Sequence, residues 1–168
     1  MISARSDKLY LVGFMGSGKT TVARALGRRL SWRAIDLDEE IERREGRTVS
    51  QVFAKEGEAY FRNVEREVLL AFLPLRNVII ATGGGTFIQP ANRSDILADG
   101  TTIWLDAPFT RIVERVPSDG RRPLAADREG FAALYEQRRA VYRHAHLRID
   151  AQGRVDALVE HLLHKLGW

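Results

Sequence analysis

The sequence predicts an α/β chain: an open, parallel sheet of five strands with helices on both faces and a mobile lid. Three observations carry this expectation. Apolar runs of strand length alternate with segments of helical period along the 168 residues. Several of those runs are continuously apolar, as expected for strands covered on both faces by crossover helices. A glycine-rich turn also lies between the first strand and the first helix, where backbone N–H groups can gather an anion.

The elements follow in order. Strands are predicted at Lys8–Gly13 (KLYLVG), Arg33–Asp36, Val78–Thr82 (VIIAT), Thr101–Leu105 (TTIWL) and Leu147–Asp150. Helical patterns cover Lys19–Leu30, Asp38–Arg44, Val49–Lys55, Glu58–Leu73, Ala91–Ala98, Phe109–Val116, Arg128–His144 and Val155–Leu166. The segment PSDGRRP at 117–123 has turn residues and charges without apolar period. It reads either as an exposed connection or as a lid over a site. No repeat, low-complexity tract or linker divides the chain, which predicts one domain.

Composition narrows the function classes. The chain has no cysteine, which excludes a disulfide framework, a thiolate nucleophile and a cysteine zinc site. No apolar run approaches the roughly 20 residues of a membrane span. The N-terminal MISARSDKLYLVGF lacks an apolar signal region, and a cytoplasmic location is expected. The net charge is +4, carried mainly by arginine. Such a surface suits nucleic acid or small anions. With no basic run interleaved with aromatics and no nucleic-acid motif, small anions are the expected partners, and neither nucleic acid nor membrane is.

Residues 13–20, GFMGSGKT, match GxxxxGK[ST] in full, after a strand and opening a helix. Glycines let backbone N–H groups approach phosphates closely, and the helix N-terminus adds partial positive charge. In this pattern Lys19 reaches the β- and γ-phosphates and the Thr20 hydroxyl ligates Mg²⁺. Gly13, Gly16, Ser17, Gly18, Lys19, Thr20 and Thr21 are the expected cradle for ATP. The fold alone does not decide what is done with the nucleotide. The Asn-Lys-x-Asp motif of GTPases is absent, and Asp127-Arg128-Glu129-Gly130 follows a polar loop rather than a strand. Asp106, ending an apolar strand, is either a metal-holding acid or a cap of the next helix. Asp36 is the other candidate for the metal.

Asp36 and Asp38 stand one residue apart at the end of the second strand. If the chain stays extended through Asp38, both carboxylates face one side, toward the cleft at the carboxyl ends of the strands. Asp36 then holds Mg²⁺ through water, and Asp38 takes the hydroxyl of an acceptor. The competing reading makes Asp38 the N-cap of the following helix.

The chain resembles the shikimate kinase family over nearly its full length. The resemblance rests on GFMGSGKT at 13–20, the Asp36/Asp38 pair, and GRTVSQVFAKEGEAYFRNVE at 46–65. It continues with Gly83-Gly84-Gly85, Arg121-Arg122-Pro123-Leu124 and RRAVYRHA at 138–145. It implies ATP-dependent phosphorylation of the 3-hydroxyl of shikimate, in aromatic amino-acid (chorismate) biosynthesis. It implies a substrate-binding helical segment at about 38–65, a lid at about 117–127, and a monomer. By resemblance, Arg62 and Arg139 bind the substrate carboxylate, Gly83, Gly84 and Gly85 line its loop, Phe53 and Phe61 wall the pocket, and Glu65 positions an arginine. Asp38 acts on the acceptor hydroxyl. Arg122 closes on the phosphates, while Arg115 and Arg154 lie near adenine. Alone, Arg62, Arg139 and Glu65 read equally as solvated helix charges. The sequence departs from the family pattern at Leu37, at RRPLA in the lid and at AQGR after Asp150. The nearest alternatives are a kinase for gluconate or a nucleoside monophosphate, and a non-catalytic nucleotide-gated regulator.

Overall fold

A computed structural model describes residues 6–116 and 128–168. The lid expected at about 117–127, with Arg122, lies outside the described residues. Five strands form one sheet: β1 (Lys8–Val12), β2 (Arg33–Asp36), β3 (Val78–Ala81), β4 (Thr101–Asp106) and β5 (Leu147–Asp150). Their order is β2-β3-β1-β4-β5, and every pair is parallel. Register places Leu9 opposite Ile79 on one side and Thr101 on the other. β1, β3 and β4 are buried throughout. This is why their sequences run apolar without alternation.

Among the described residues seven helices accompany the strands: α1 (Lys19–Leu30), α2 (Leu37–Glu45), α3 (Val49–Phe72), α4 (Pro90–Asp99), α5 (Phe109–Arg115), α6 (Arg128–Tyr142) and, after the last strand, α7 (Val155–Leu166). The strand order matters for function. The chain leaves β1 toward one side of the sheet and crosses to the other between β3 and β4. A crevice therefore opens at the carboxyl end of β1, where ligands bind in sheets of this kind. Among the described residues no helix is long and apolar enough to cross a membrane.

Two local features differ from the sequence reading. The chain does not stay extended through Asp38, because α2 begins at Leu37. Asp36 is the N-cap, its Oδ1 accepting from Glu39 N at 3.1 Å. Asp38 thus sits inside the first turn of a helix, and the N-cap reading of Asp38 fails with the extended one. The physical reason is Leu37, fully buried, which turns the chain inward at once. Second, the helices expected at Val49–Lys55 and Glu58–Leu73 are one element, α3, broken internally at Gly57. Gly57 has φ +84° and ψ 174°, a conformation that L side chains rarely adopt. The start of α3 is fixed by a capping box: Thr48 Oγ1 accepts from Gln51 N, and Gln51 Oε1 from Thr48 N.

At the amino ends of the strands, Lys8 is fully buried. Its Nζ donates to Phe72 O at 2.7 Å and Leu73 O at 2.9 Å, and pairs with Asp99 at 2.6 Å. Carbonyls at the end of α3 that lack helical partners are satisfied this way. Tyr10 Oη and Arg76 also donate to Asp99, completing the network.

Candidate active site

The site begins with the loop after β1. Gly16 and Gly18 have φ +79° and +93°. A Cβ on Gly16 would stand 2.9 Å from Val116 Cγ2, so space and dihedral both require glycine. Lys19, 8% exposed, donates Nζ to Gly13 O at 2.7 Å and Phe14 O at 2.9 Å. The ammonium is thereby held inside the loop whose N–H groups would surround a phosphate. Ser17 Oγ is buried without a hydrogen-bond partner among the described residues, an orphan polar atom in the same cradle. Thr21 is exposed on the first turn of α1.

The Thr20 hydroxyl donates to Asp36 Oδ2. Two hard oxygen donors therefore sit side by side at the mouth of the loop. That donor set suits Mg²⁺, which is characteristically held by one or two protein oxygens, phosphates and waters. Among the described residues no cluster of three or more His, Cys, Asp or Glu side chains could hold a metal unaided. A cation here would have to arrive with phosphate.

A cleft of about 370 Å³ opens above the loop, with Lys19, Thr20, Asp36, Asp38, Thr82 and Gly84 in its lining. Both aspartates reach it although the backbone between them is not extended, since the first turn of α2 points back across the strand ends. Asp38 Oδ1 lies 2.8 Å from where a Cβ on Gly83 would be, so only glycine permits that approach.

Across the cleft, α3 carries Phe61, Arg62 and Glu65. Phe53 and Phe61, on either side of the Gly57 break, bring their rings to 4.5 Å. The Arg62 guanidinium lies 5.2 Å from the Phe61 ring centre and donates Nη1 to Glu65 Oε1 and Oε2 at 3.0 and 3.2 Å. Glu65 is 1% exposed and also accepts from Thr86 Oγ1 at 2.9 Å. Burial pushes its carboxyl up, against the opposing pull of Arg62 and Thr86. Arg62 Nε is buried with no hydrogen-bond partner among the described residues, and a Cβ on Gly85 would fall 2.4 Å from Arg62 Nη2. The glycine turn and the guanidinium are thus in contact with no room between them.

The two neighbouring arginines of α6 face different ways: Arg138 lies against the glycine turn, whereas Arg139, the residue expected to bind the carboxylate, is engaged elsewhere. Arg139 donates Nη2 to Asp106 Oδ2 at 3.2 Å and stacks near Trp104 and Tyr135. Arg148 shares that carboxylate at 2.7 Å. Asp106 therefore neither caps α5, whose N-cap is Pro108, nor faces Thr20. Arg138 turns the other way on α6. It is 7% exposed and has no carboxylate within ion-pair distance among the described residues. Its Nη1 stands 3.3 Å from the Cβ position of Gly84, and its guanidinium lies 5.8 Å from the Phe14 ring centre. Burial pushes this guanidinium below its ordinary range. A buried cation with no directly paired carboxylate among the described residues is a built place for an anion. The physical reason for the difference is the helical stripe Phe131, Tyr135, Arg138 and Tyr142, the buried face of α6, from which Arg139 is excluded. Tyr142 is the other residue the sequence reading missed.

Arg115 donates Nη1 to Gly16 O at 3.3 Å, at the outer edge of the phosphate loop. Arg154 is 86% exposed and pairs with Asp156 at 3.3 Å. The cleft thus joins a phosphate cradle, a magnesium-suited oxygen pair, a carboxylate at its centre and two arginines at its far wall.

A family model for shikimate kinase matches residues 15–167. A shikimate kinase of Persephonella marina is 40% identical over 147 residues, covering 87% of this chain and 90% of its own length. The crystal structure of shikimate kinase from Aquifex aeolicus superposes with a TM-score of 0.87 at 37% identity, covering 95% of this chain and 96% of that one. Shikimate kinase from Acinetobacter baumannii in complex with shikimate gives 0.90 at 35% identity, covering 96% and 93%. The likeness extends from the phosphate loop through the arginine-bearing helices to the end of the chain, and on that ground the chain belongs to the shikimate kinase family.

Proposed function

We propose that the chain transfers the γ-phosphoryl group of ATP to the 3-hydroxyl of shikimate, in the route to aromatic amino acids, and that the cleft residues divide the work as follows. Arg138 and Arg62 hold the substrate carboxylate, with Glu65 fixing the Arg62 guanidinium. Two planar guanidinium groups orient a carboxylate rigidly. The N–H groups of the turn Gly83-Gly84-Gly85 face the substrate body, with Phe53 and Phe61 as apolar wall.

Asp38 orients the acceptor hydroxyl and takes its proton as the O–P bond forms and the bond to ADP breaks. Lys19 and the loop amides of Gly13, Gly16, Ser17 and Gly18 neutralise charge on the β- and γ-phosphates. Thr20 and Asp36 would hold Mg²⁺, which would supply further charge neutralisation on the phosphates. Arg115 flanks the nucleotide, Arg122 is assigned to the phosphates as a lid residue, and Arg154 stays the weakest adenine candidate because it is solvated and paired. Thr21 continues the nucleotide side. The protein is proposed to act as one domain, as a cytoplasmic monomer and without nucleic acid.

The observation that carries this reading is Arg138, a buried cation with no carboxylate within ion-pair distance among the described residues, set against Gly84, which lines the same cleft as Asp38. The test is ADP release in a coupled assay with ATP and Mg²⁺, with shikimate, quinate, gluconate or CMP as acceptor. Strong stimulation by shikimate alone is expected. Stimulation by another acceptor would retain the kinase and discard the substrate. ATP binding with no stimulation by any acceptor would favour a nucleotide-gated regulator.

A further inference from the structure

We propose that Tyr142 is a positioning residue for the acid-binding half of the cleft, acting through the Gly84 carbonyl; the proposal rests on the acceptor reading above. Tyr142 is 1% exposed in the last turn of α6, and its hydroxyl donates to Gly84 O at 2.5 Å. The other two carbonyls of the glycine turn are used inside it. Gly83 O accepts from Thr86 N and Gly85 O from Ile88 N, each at 3.2 Å. Gly84 O is the one that reaches out to a helix.

A trans peptide is planar, so the C=O of one residue and the N–H of the next point in opposite directions. Holding the Gly84 carbonyl on Tyr142 therefore holds the Gly85 N–H on the opposite side of that peptide. Among the described residues neither the Gly84 nor the Gly85 N–H donates to a protein acceptor, which leaves both donors for a ligand. A run of three glycines has no side chains and little intrinsic preference to fix its own orientation. The orientation comes from α6.

Arg138 stands four residues before Tyr142, on the same buried face of that helix. One rigid element thus supplies the guanidinium and fixes the direction of the Gly85 N–H donor. A substrate with an acid group and hydroxyls on one ring needs both at a fixed separation.

The test is Tyr142→Phe in the full chain, with initial rates over shikimate and ATP, calorimetric titration with shikimate, and a thermal melt. Loss of one buried hydrogen bond predicts a KM and Kd for shikimate raised about tenfold. The KM for ATP should stay within about twofold, since its cradle is untouched. A merely structural tyrosine would lower Tm and the active fraction while leaving the shikimate KM and Kd unchanged, and that result would overturn the proposal. Arg138→Lys runs beside it to separate two failures. If Arg138→Lys leaves the shikimate KM unchanged, the acceptor reading itself is wrong. If it raises KM and Tyr142→Phe does not, the acceptor reading survives and the role of Tyr142 falls.

Discussion

Replacing Arg138 and Arg139 in turn by glutamine distinguishes the buried guanidinium from its exposed neighbour. Arg138 is 7% exposed and pairs with no carboxylate among the described residues, whereas Arg139 is 26% exposed and already engaged by Asp106. If Arg138 binds the substrate carboxylate, Arg138→Gln leaves that carboxylate desolvated with Arg62 as its remaining cation. Truncating one partner of a buried charge pair costs about 2–5 kcal/mol. The lower half of that range applies because Arg62 remains, so about 3 kcal/mol, or roughly a hundredfold in KM for shikimate, is expected. Arg139→Gln removes a partly exposed pair worth at most about 1 kcal/mol of stability, and Asp106 keeps Arg148. Its KM for shikimate should move less than about twofold. The assay is coupled ADP release at saturating ATP over a range of shikimate, with a thermal melt on each variant. A larger rise in KM for Arg139→Gln than for Arg138→Gln would refute the reasoning and return the role to Arg139.

Asp38→Asn should lower kcat by about 10²–10⁴ and leave the KM for ATP near its wild-type value, because Asp38 stands on α2 and not in the phosphate loop; near wild-type turnover would remove Asp38 from the chemistry. Gly85→Ala should fold, since the atoms its Cβ meets belong to the end of the Arg62 side chain, but it displaces a guanidinium tied to Glu65 at 3.0 Å. The KM for shikimate should rise by about tenfold or more, and an unchanged KM would mean that Arg62 does not act from this position. Lys8→Met removes a buried charge and the donor it shares among Phe72 O, Leu73 O and Asp99, each of which keeps another partner, so a loss at the low end for a broken buried pair, about 3 kcal/mol, is expected, lowering Tm by roughly 6–12 °C. Its turnover per folded molecule should match wild type, because Lys8 lies at the amino end of β1 and the site at the carboxyl end; an altered KM for either substrate would contradict that separation.

What the sequence made legible was whatever has a local cause. The phosphate loop is a contiguous pattern bounded by a strand and a helix, and β1 and α1 stand where that pattern put them. The break at Gly57 was legible because a glycine interrupts two helical patterns, although the structure runs them on as one element. The Asp36/Asp38 pair was right about the cleft and wrong about the backbone. The sequence pattern does not reveal that Leu37 is buried deeply enough to start the helix one residue after Asp36. The different placements of Arg138 and Arg139 were hidden for a similar reason. RRAVYRHA places two arginines side by side, and a motif match tolerates a shift of one. The helical stripe does not: with Phe131, Tyr135 and Tyr142 at spacings of four and seven, the position that completes the face is 138. An arginine standing in an apolar stripe was the available signal, and it points away from Arg139. The contact between Tyr142 and Gly84 joins residues 58 apart in sequence and left no local trace.

The glycine turn explains why the site needs so many distant parts. Its own residues offer backbone alone, so every specific interaction at it is supplied by another element. Asp38 of α2 approaches Gly83, Arg138 and Tyr142 of α6 bracket Gly84, and Arg62 of α3 presses on Gly85. Met15 N, in the phosphate loop, stands 3.4 Å from the Cβ position of Gly84. The nucleotide half and the acceptor half of the cleft therefore meet at one residue without a side chain. A methyl group at any of the three positions strikes a different partner, which predicts different failures: the carboxylate at 83, the second arginine at 84, the first at 85. Bulk added at a merely structural turn would lower stability in common. Here it should separate into an effect on kcat at 83 and effects on the acceptor KM at 84 and 85, because the groups displaced do different chemistry.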